Sequence, residues 1–316
     1  SAGEPKWEKE KRKMRVVIMG GSGLIGQALA RELIHTGQHQ VTILSRGEFT
    51  GERAGQLWLH WDGLSAATLT SLIDGQDAVV NLVGENLGAK RWSRQQKECI
   101  LSSRVNASQA VAQAVKACQI PPAVYVQASA VGYYGTGERL VTEESAAGLD
   151  WLARVCQEWE KATAKIAQTV KRVVIVRTGV VLERNGGILR QLSLPMQFCL
   201  GGPLGSGKQW ISWIHLEDEA AALRYLLERE TCMGVYNLTA PQPVQQQEFG
   251  QCLAQVLHRP YWLPLPGGVL KLLLGEMSTL ALEGQRSLPK RLQEAGFSFQ
   301  YPELCTALQE IYFQHP

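Results

Sequence analysis

Apolar positions along the chain repeat with two different periods. Runs of strand length occur at Arg15–Met19, Gln40–Ser45, 57–61, 78–83, 124–128 and 173–177, and several are apolar at every position. Between and after them, segments 24–36, 65–73, 93–117, 149–170 and 216–229 repeat their apolar residues at helical spacing. Strands alternating with helices in this way build βαβ units around a parallel sheet, and strands without a polar face need helices on both sides of it. From about Arg184 the rhythm loosens: Gly201-Gly-Pro-Leu-Gly-Ser-Gly207 reads as loop, and Pro241, Pro243, Pro260, Pro264 and Pro266 punctuate the remainder of the chain. The organisation expected is a main domain over 14–183, with a smaller lobe and C-terminal helical segment over 184–316 interleaved with it. Ligands of such sheets sit at the carboxyl ends of the strands where strand order reverses, so the lobe is expected to close over that edge.

The first strand run leads directly into Gly20-Gly-Ser-Gly23-Leu24-Ile25-Gly26, and a helical run comes next. Glycines there allow a tight turn and bring backbone N–H groups against a pyrophosphate, Gly26 lets the helix pack close to the sheet, and the helix dipole favours the anion. Strand, glycines and helix in that order are the context that gives the pattern meaning. The fold class expected is therefore α/β, a Rossmann-like doubly wound parallel sheet with a small C-terminal substrate lobe. The second strand ends Ser45-Arg46. An acidic residue there would hold an adenosine ribose diol and repel a phosphate, whereas arginine offers a planar fork of donors to a 2′-phosphate; the cofactor expected is NADP. The plain alternative is a solvated strand-end arginine with Glu48 nearby. Asp62, in Trp61-Asp62-Gly63, stands where an adenine amino group would meet it, or is an ordinary turn aspartate. The fourth strand ends Asn81-Leu82-Val83-Gly84-Glu85, whose small glycine lets backbone approach a cofactor ribose or simply lets backbone pack.

Composition narrows the partners. With 45% hydrophobic and 19% charged positions in 316 residues the chain can bury a large core. The net charge of +3 divides unevenly: residues 1–13 hold five basic and three acidic groups, so little is left for a basic groove, and nucleic acid is not expected as a partner. That leader reads as a flexible extension or an expression remnant rather than a transit peptide. Seven scattered cysteines without a C-x-x-C suggest neither a zinc ribbon nor a disulfide framework, and a reducing, cytoplasmic setting is the default. No metal site is expected. The longest apolar stretch, 268–275, is too short to span a bilayer and carries Lys271.

Five segments resemble the extended short-chain dehydrogenase/reductase superfamily: Gly20-x-x-Gly23-x-x-Gly26; Asn81–Gly84; Ala128-Ser129-Ala-Val-Gly-Tyr-Tyr134-Gly135; Val176-Arg177-Thr-Gly179; and Trp213-Ile-His215-Leu-Glu-Asp218. More narrowly, Asn81-Leu-Val-Gly-Glu-Asn86, Arg91-Trp92, Cys156-x-x-Trp159-Glu160, and Leu282-Glu-Gly-Gln-Arg286 with Pro289 and Gly296-Phe297 are similar to its epimerase family branch of NADP-dependent oxidoreductases, some of which carry the description of SulA-type cell-division inhibitors. The resemblance covers Met14 to the C-terminus. It implies cofactor contacts from Gly20, Gly23, Leu24, Ile25, Gly26, Ser45, Arg46, Asp62, Asn81, Leu82, Val83, Gly84, Glu85, Arg104, Ser129 and Val181. For Arg104 the alternative is a surface salt bridge, and for Val181 a core position. Lys208, Gln209 and His215 belong to segments that line the substrate pocket in extended members, His215 having the alternative of a satisfied histidine before a helix.

One departure matters for chemistry. The superfamily works through a tyrosine with a lysine one helical turn on, the ammonium and cofactor lowering the phenol pKa. No tyrosine here has one: the residue four after Tyr125 is Ser129, after Tyr133 Gly137 and after Tyr134 Glu138. Aligned on Glu160, the two positions hold Leu152 and Cys156, neither of which replaces the missing group. The catalytic candidates that remain are Ser129, to polarise a carbonyl, and Tyr134, as acid, with lobe packing as the alternative for the tyrosine. Five tryptophans, Trp92, Trp151, Trp159, Trp210 and Trp213, suit an aromatic pocket wall or the packing of lobe on sheet. Three functions are compatible with these features: an NADP-dependent oxidoreductase or epimerase-like enzyme on a small carbonyl or hydroxyl substrate; a non-catalytic NADP-binding regulator, for example of cell division; or another transferase or isomerase on the same fold. Monomer and homodimer are both open.

Overall fold

The structure, a computed structural model, describes residues 13–184 and 186–313; the leader expected at the N-terminus lies, apart from Lys13, outside them. In chain order the first half runs β1 (Arg15–Met19), α1 (Leu24–His35), β2 (Gln40–Ser45), β3 (Gly51–Arg53), β4 (Gln56–His60), α2 (Ala66–Ile73), β5 (Ala78–Asn81), α3 (Arg94–Ala117), β6 (Val124–Ala130), β7 (Leu140–Val141), α4 (Trp151–Lys161), α5 (Thr163–Ile166) and β8 (Arg172–Thr178). The second runs β9 (Val180–Leu182), α6 (Gly187–Gln197), β10 (Trp210–Ile211), β11 (Trp213–His215), α7 (Leu216–Glu228), β12 (Gly234–Leu238), β13 (Val244–Gln245), α8 (Gln246–Val256), α9 (Gly267–Leu274), α10 (Thr279–Leu282), β14 (Arg286–Ser287), α11 (Lys290–Glu294) and α12 (Leu304–Phe313).

The main sheet has the order β12-β8-β6-β5-β1-β2-β4-β3, parallel except for β3. The chain lays strands outward from β1 to one side and then from β5 to the other, so order reverses between β1 and β5. Period-two alternation explains why β1 is apolar throughout. Val16 and Ile18 pack with Leu29 and Leu33 of α1 and Leu223 and Leu226 of α7, while Val17 and Met19 pack with Leu69 and Ile73 of α2 and Val111 of α3. Each such fully buried aliphatic side chain contributes about 1.5–3 kcal/mol relative to exposure. The doubly wound α/β sheet expected from the sequence is the one observed.

Several boundaries differ from the expectation, each for a local reason. The fourth strand run stops at Asn81 rather than 83, because the Asn81 Oδ1 accepts from Val83 N and turns the chain. The helix expected over 149–170 is two, α4 and α5, joined at Ala162; Thr163 Oγ1 donates to the Glu160 carbonyl, a local bond that competes with helix continuation. The later chain also supplies a main-sheet strand, β12 beside β8. A second core joins Leu189 and Met196 of α6, Phe249 and Leu253 of α8, and Leu308 and Ile311 of α12 around Trp213. At its edge a disulfide joins Cys252 and Cys305, where the sequence suggests no disulfide framework: they lie 53 residues apart, and only the packing of α8 on α12 brings their Cα atoms to 5.7 Å.

α7 lies along α1, and its first turn buries a carboxyl. Glu219 is 1% exposed, accepts from Thr178 Oγ1 at 2.8 Å, and has no partner for Oε2 among the described residues. Burial pushes its pKa up to about 8. Between the ordinary carboxylate range and that value the unfolded chain has released this proton and the folded chain still holds it, so the folded state loses stability as pH rises through the window. Glu219→Gln removes the loss. Its melting temperature relative to the native chain is expected to climb from pH 5 to pH 8 and then level off; a constant difference across that range contradicts the assignment.

Candidate functional site

The crevice at the strand-order reversal is built from backbone. Gly20 takes φ +72°, and a Cβ there would meet the Leu82 carbonyl carbon at 3.0 Å, so the exits of β1 and β5 touch main chain to main chain. Leu82 N donates to the Met19 carbonyl and Gly20 N to that of Leu44, tying the exits of three strands together. A Cβ on Gly26 would lie 2.5 Å from Gly21 Cα, which only glycine avoids; α1 therefore starts directly over the turn. Its N-cap is Gly23, no side chain caps it, and no acidic residue stands in its first turn. Such an end presents backbone donors and the positive end of the helix dipole to an anion. Ile25 and Val181 pack together on Ala28, Leu216 and Ala220, placing β9 against the start of α1; Leu24 beside them is exposed.

At the exit of β2, Ser45 Oγ accepts from Gly47 N, and the exposed Arg46 makes no ion pair with Glu48 or with any other described residue. Asp62 takes up the turn role: its Oδ1 accepts from Leu64 N and Ser65 N, both at 2.8 Å, and these bonds hold its carboxyl below the usual range. At the exit of β5, Asn81 is fully buried, its Nδ2 3.1 Å from the Tyr125 hydroxyl and 3.3 Å from both Ser108 Oγ and Gln127 Oε1. Val83 comes after that turn, and Glu85 N donates to Ser103 Oγ. Gly84 leaves room for a cation: a Cβ there would sit 3.0 Å from the Arg104 guanidinium carbon. Arg104 is 9% exposed, donates to the Ile100 carbonyl at 2.9 Å and lies 4.9 Å over the Trp159 ring. The surface salt bridge that was its alternative is not formed among the described residues.

Ser129 and Tyr134 are brought together, but by a buried network. Ser129 Oγ donates to Glu160 Oε1 at 2.7 Å, and Arg177 holds both oxygens of Glu160 at 2.8 Å. Arg177 Nη1 donates to the Tyr134 hydroxyl, which donates to Asn237 Oδ1 at 2.7 Å; Asn237 Nδ2 in turn donates to the Leu288 carbonyl. The Arg177 guanidinium also lies 3.3 Å over the Tyr133 ring. Burial pushes the Tyr134 phenol up to about 12, against the lowering effect of Arg177. Leu152 and Cys156 stand beside Gly132 at the β6 exit, where burial pushes the Cys156 thiol up to about 11. Asn237, which is 103 residues from Tyr134, was not singled out by sequence reasoning, because no local pattern marks a partner at that distance.

In the lobe, His215 is the satisfied histidine. It is 3% exposed, caps α7 by accepting from Glu217 N, and pairs through Nε2 with Glu310 at 2.8 Å. Gln209 Nε2 donates to the carbonyls of Leu204 and Ala281, bracing the glycine-rich loop, and Lys208 is exposed. Trp213 is buried in the second core, whereas Trp92 and Trp151 face each other at 4.8 Å.

Comparison with known proteins places this architecture. Residues 16–155 match the NAD dependent epimerase/dehydratase family, and residues 265–311 match a domain of unknown function (DUF1731). The chain is 40% identical over 300 residues to the epimerase family protein YfhF of Bacillus subtilis (strain 168), covering 94% of this chain and 98% of that one. It is 40% identical over 311 residues to the chloroplastic SDR39U1 homolog of Arabidopsis thaliana, covering 96% and 88%. The crystal structure of the human epimerase family protein SDR39U1 (isoform2) with NADPH superposes with a TM-score of 0.84 at 34% identity, covering 94% of this chain and 99% of that one. A UDP-N-acetylglucosamine 4-epimerase from Methanobrevibacter ruminantium M1, covering 95% and 97%, shares the fold with a TM-score of 0.75 at 17% identity. Identity of about 40%, sustained over nearly the full length of the chains compared, means that the protein belongs to the epimerase family proteins of the NAD dependent epimerase/dehydratase group.

Proposed function

We propose that the chain binds NADP(H) across the β1–β5 crevice and acts as an NADP-dependent oxidoreductase or epimerase-like enzyme on a small carbonyl or hydroxyl compound. The observation that carries this is a glycine-only cradle one strand away from an arginine without a protein partner among the described residues. Backbone donors of 20–26 suit a diphosphate, and Ser45 with Arg46 suits a 2′-phosphate. Asn81, Leu82, Val83, Gly84, Glu85 and Arg104 border the ribose side, with Ile25 and Val181 as an apolar wall. The human relative solved with NADPH supports the choice of coenzyme. A nicotinamide coenzyme supplies hydride chemistry when bound, and the protein's part is orientation and electrostatics.

The network around Arg177 bears on the proton. Tyr134 is engaged through its hydroxyl on both sides and Ser129 through its only proton, so both hold the β6 exit in place, with proton transfer left to water or to the substrate. The same observation favours a second reading, a regulator that binds NADP without turnover.

Fluorescence titration with NADPH and NADH tests the coenzyme reading: Arg46→Ala is expected to weaken NADPH by about tenfold or more and leave NADH nearly unchanged, loss of a charge-assisted contact being worth roughly 1.5–3 kcal/mol. Equal loss for both coenzymes removes the argument for NADP. For the network, Tyr134→Phe leaves buried donors and acceptors of Arg177 and Asn237 unmatched, so denaturant unfolding is expected to show a loss of about 1–3 kcal/mol with NADPH affinity retained. Unchanged stability together with abolished turnover in a screen of aldehydes, ketones and quinones makes Tyr134 the acid instead.

A further inference from the structure

Four buried or half-buried arginines of this protein have their donors matched. Arg172 donates to the carbonyls of Leu226, Cys232 and Leu227 at 2.7, 2.9 and 2.6 Å; Arg177 is held by Glu160 and Tyr134; Arg224 by Glu32 and Glu228; and Arg291 reaches the carbonyls of Val235 and Met233. Arg286 breaks this pattern. It is half-buried, its Nε is closed off from solvent without a partner, and among the described residues its guanidinium has neither a hydrogen bond nor an ion pair. What holds it is the Trp210 ring, 4.3 Å from ring centroid to guanidinium carbon. Stacking on an aromatic face offsets part of the lost hydration and leaves the in-plane N–H donors unused.

The position of Arg286 is determined by contacts on both flanks. Gly137 N donates to the Gly284 carbonyl, Thr136 Oγ1 donates to Glu283, and Arg286 itself pairs with Leu140 in the β14–β7 ladder, fastening the segment to the chain that leaves β6. On the other side Ser212 Oγ donates to the Gln285 carbonyl and accepts from Ser287 N, both at 2.8 Å. Ser212 in turn lies against the β8 exit, where a Cβ on Gly179 would come within 2.3 Å of its carbonyl oxygen. A Cβ on Gly284 would meet the Trp210 carbonyl oxygen at 1.9 Å, so glycine is what lets this segment press onto Trp210. Through these contacts the segment of Arg286 is fastened to the chain leaving β6 and, by way of Ser212, to the exit of β8, at the carboxyl ends of those strands.

We propose that Arg286 anchors an oxyanion, a carboxylate or phosphoryl group, carried by the substrate, with Trp210 stacked on the guanidinium and the Nη donors left for a bidentate contact. This rests on the proposed action on a small-molecule substrate. The test uses the full chain saturated with NADPH, so that anionic probes do not enter the coenzyme cradle. Malonate and inorganic phosphate are titrated separately while the arginine Nε–H resonances are followed by nitrogen-15 NMR. One resonance, identified by its loss in Arg286→Lys, is expected to shift saturably with one of the two probes, and which probe moves it tells carboxylate from phosphate. Arg286→Gln is expected to weaken that probe by about 10- to 100-fold, Arg286→Lys to weaken it less, and both to keep the NADPH affinity of the native chain. A resonance unmoved by both probes, or unchanged probe affinity in Arg286→Gln, overturns the proposal. If the native chain takes no NADPH, the coenzyme reading falls by itself, and the same titration on the unloaded chain still decides the anchor.

Discussion

The close approach of main chain to main chain at the exits of β1 and β5 is the constraint on which the site depends. Gly20 against Leu82, and Gly26 against Gly21, leave no room for a Cβ, and the space so gained is what lets the N-terminus of α1 face the crevice with its donors uncapped. Strand order reverses at the same place, so neighbouring connections leave toward opposite faces and the crevice stays open. The local chemistry of three glycines and the topology of the whole sheet therefore meet at one point. Neither alone makes an anion site.

Beside this crevice lies a buried hydrogen-bonded network. Glu160 and Arg177 form a buried bidentate pair; Ser129 donates to Glu160, Arg177 donates to the Tyr134 hydroxyl, and that hydroxyl donates to Asn237. Paired charges that are also hydrogen-bonded escape most of the desolvation penalty, whereas removing one partner strands the other. A phenol whose pKa is pushed up to about 12 and whose oxygen is engaged on both sides is suited to holding β6, β8 and β12 in register at their ends. Arg46 and Arg286 form no ion pair among the described residues, and Arg104 donates to the Ile100 carbonyl.

How much of the fold was legible in the residues alone depended on range. The β1, β2, β6 and β8 strands and the α1, α2, α3 and α7 helices were readable to within a few residues, because period two and period 3.6 are written by neighbours along the chain. Glycines at 20, 23 and 26 were readable as a cradle for the same reason, and Arg46 from its place one step past a strand. The break at Ala162 and the early end of β5 at Asn81 were not, since each turns on one side-chain bond to nearby backbone.

What the sequence by itself determined is the alternation of strand and helix, the glycine turn and the absence of a tyrosine with its lysine, all of them properties of adjacent or one-turn neighbours. Only the tertiary structure decided that Tyr134 meets Asn237, that Cys252 meets Cys305, that His215 is tied to Glu310, and that Arg286 rests on Trp210 without a counter-ion among the described residues. Those pairings join residues 53 to 103 positions apart, and a contact across that distance is fixed by how sheets and helices stack rather than by any pattern a short stretch of chain can carry.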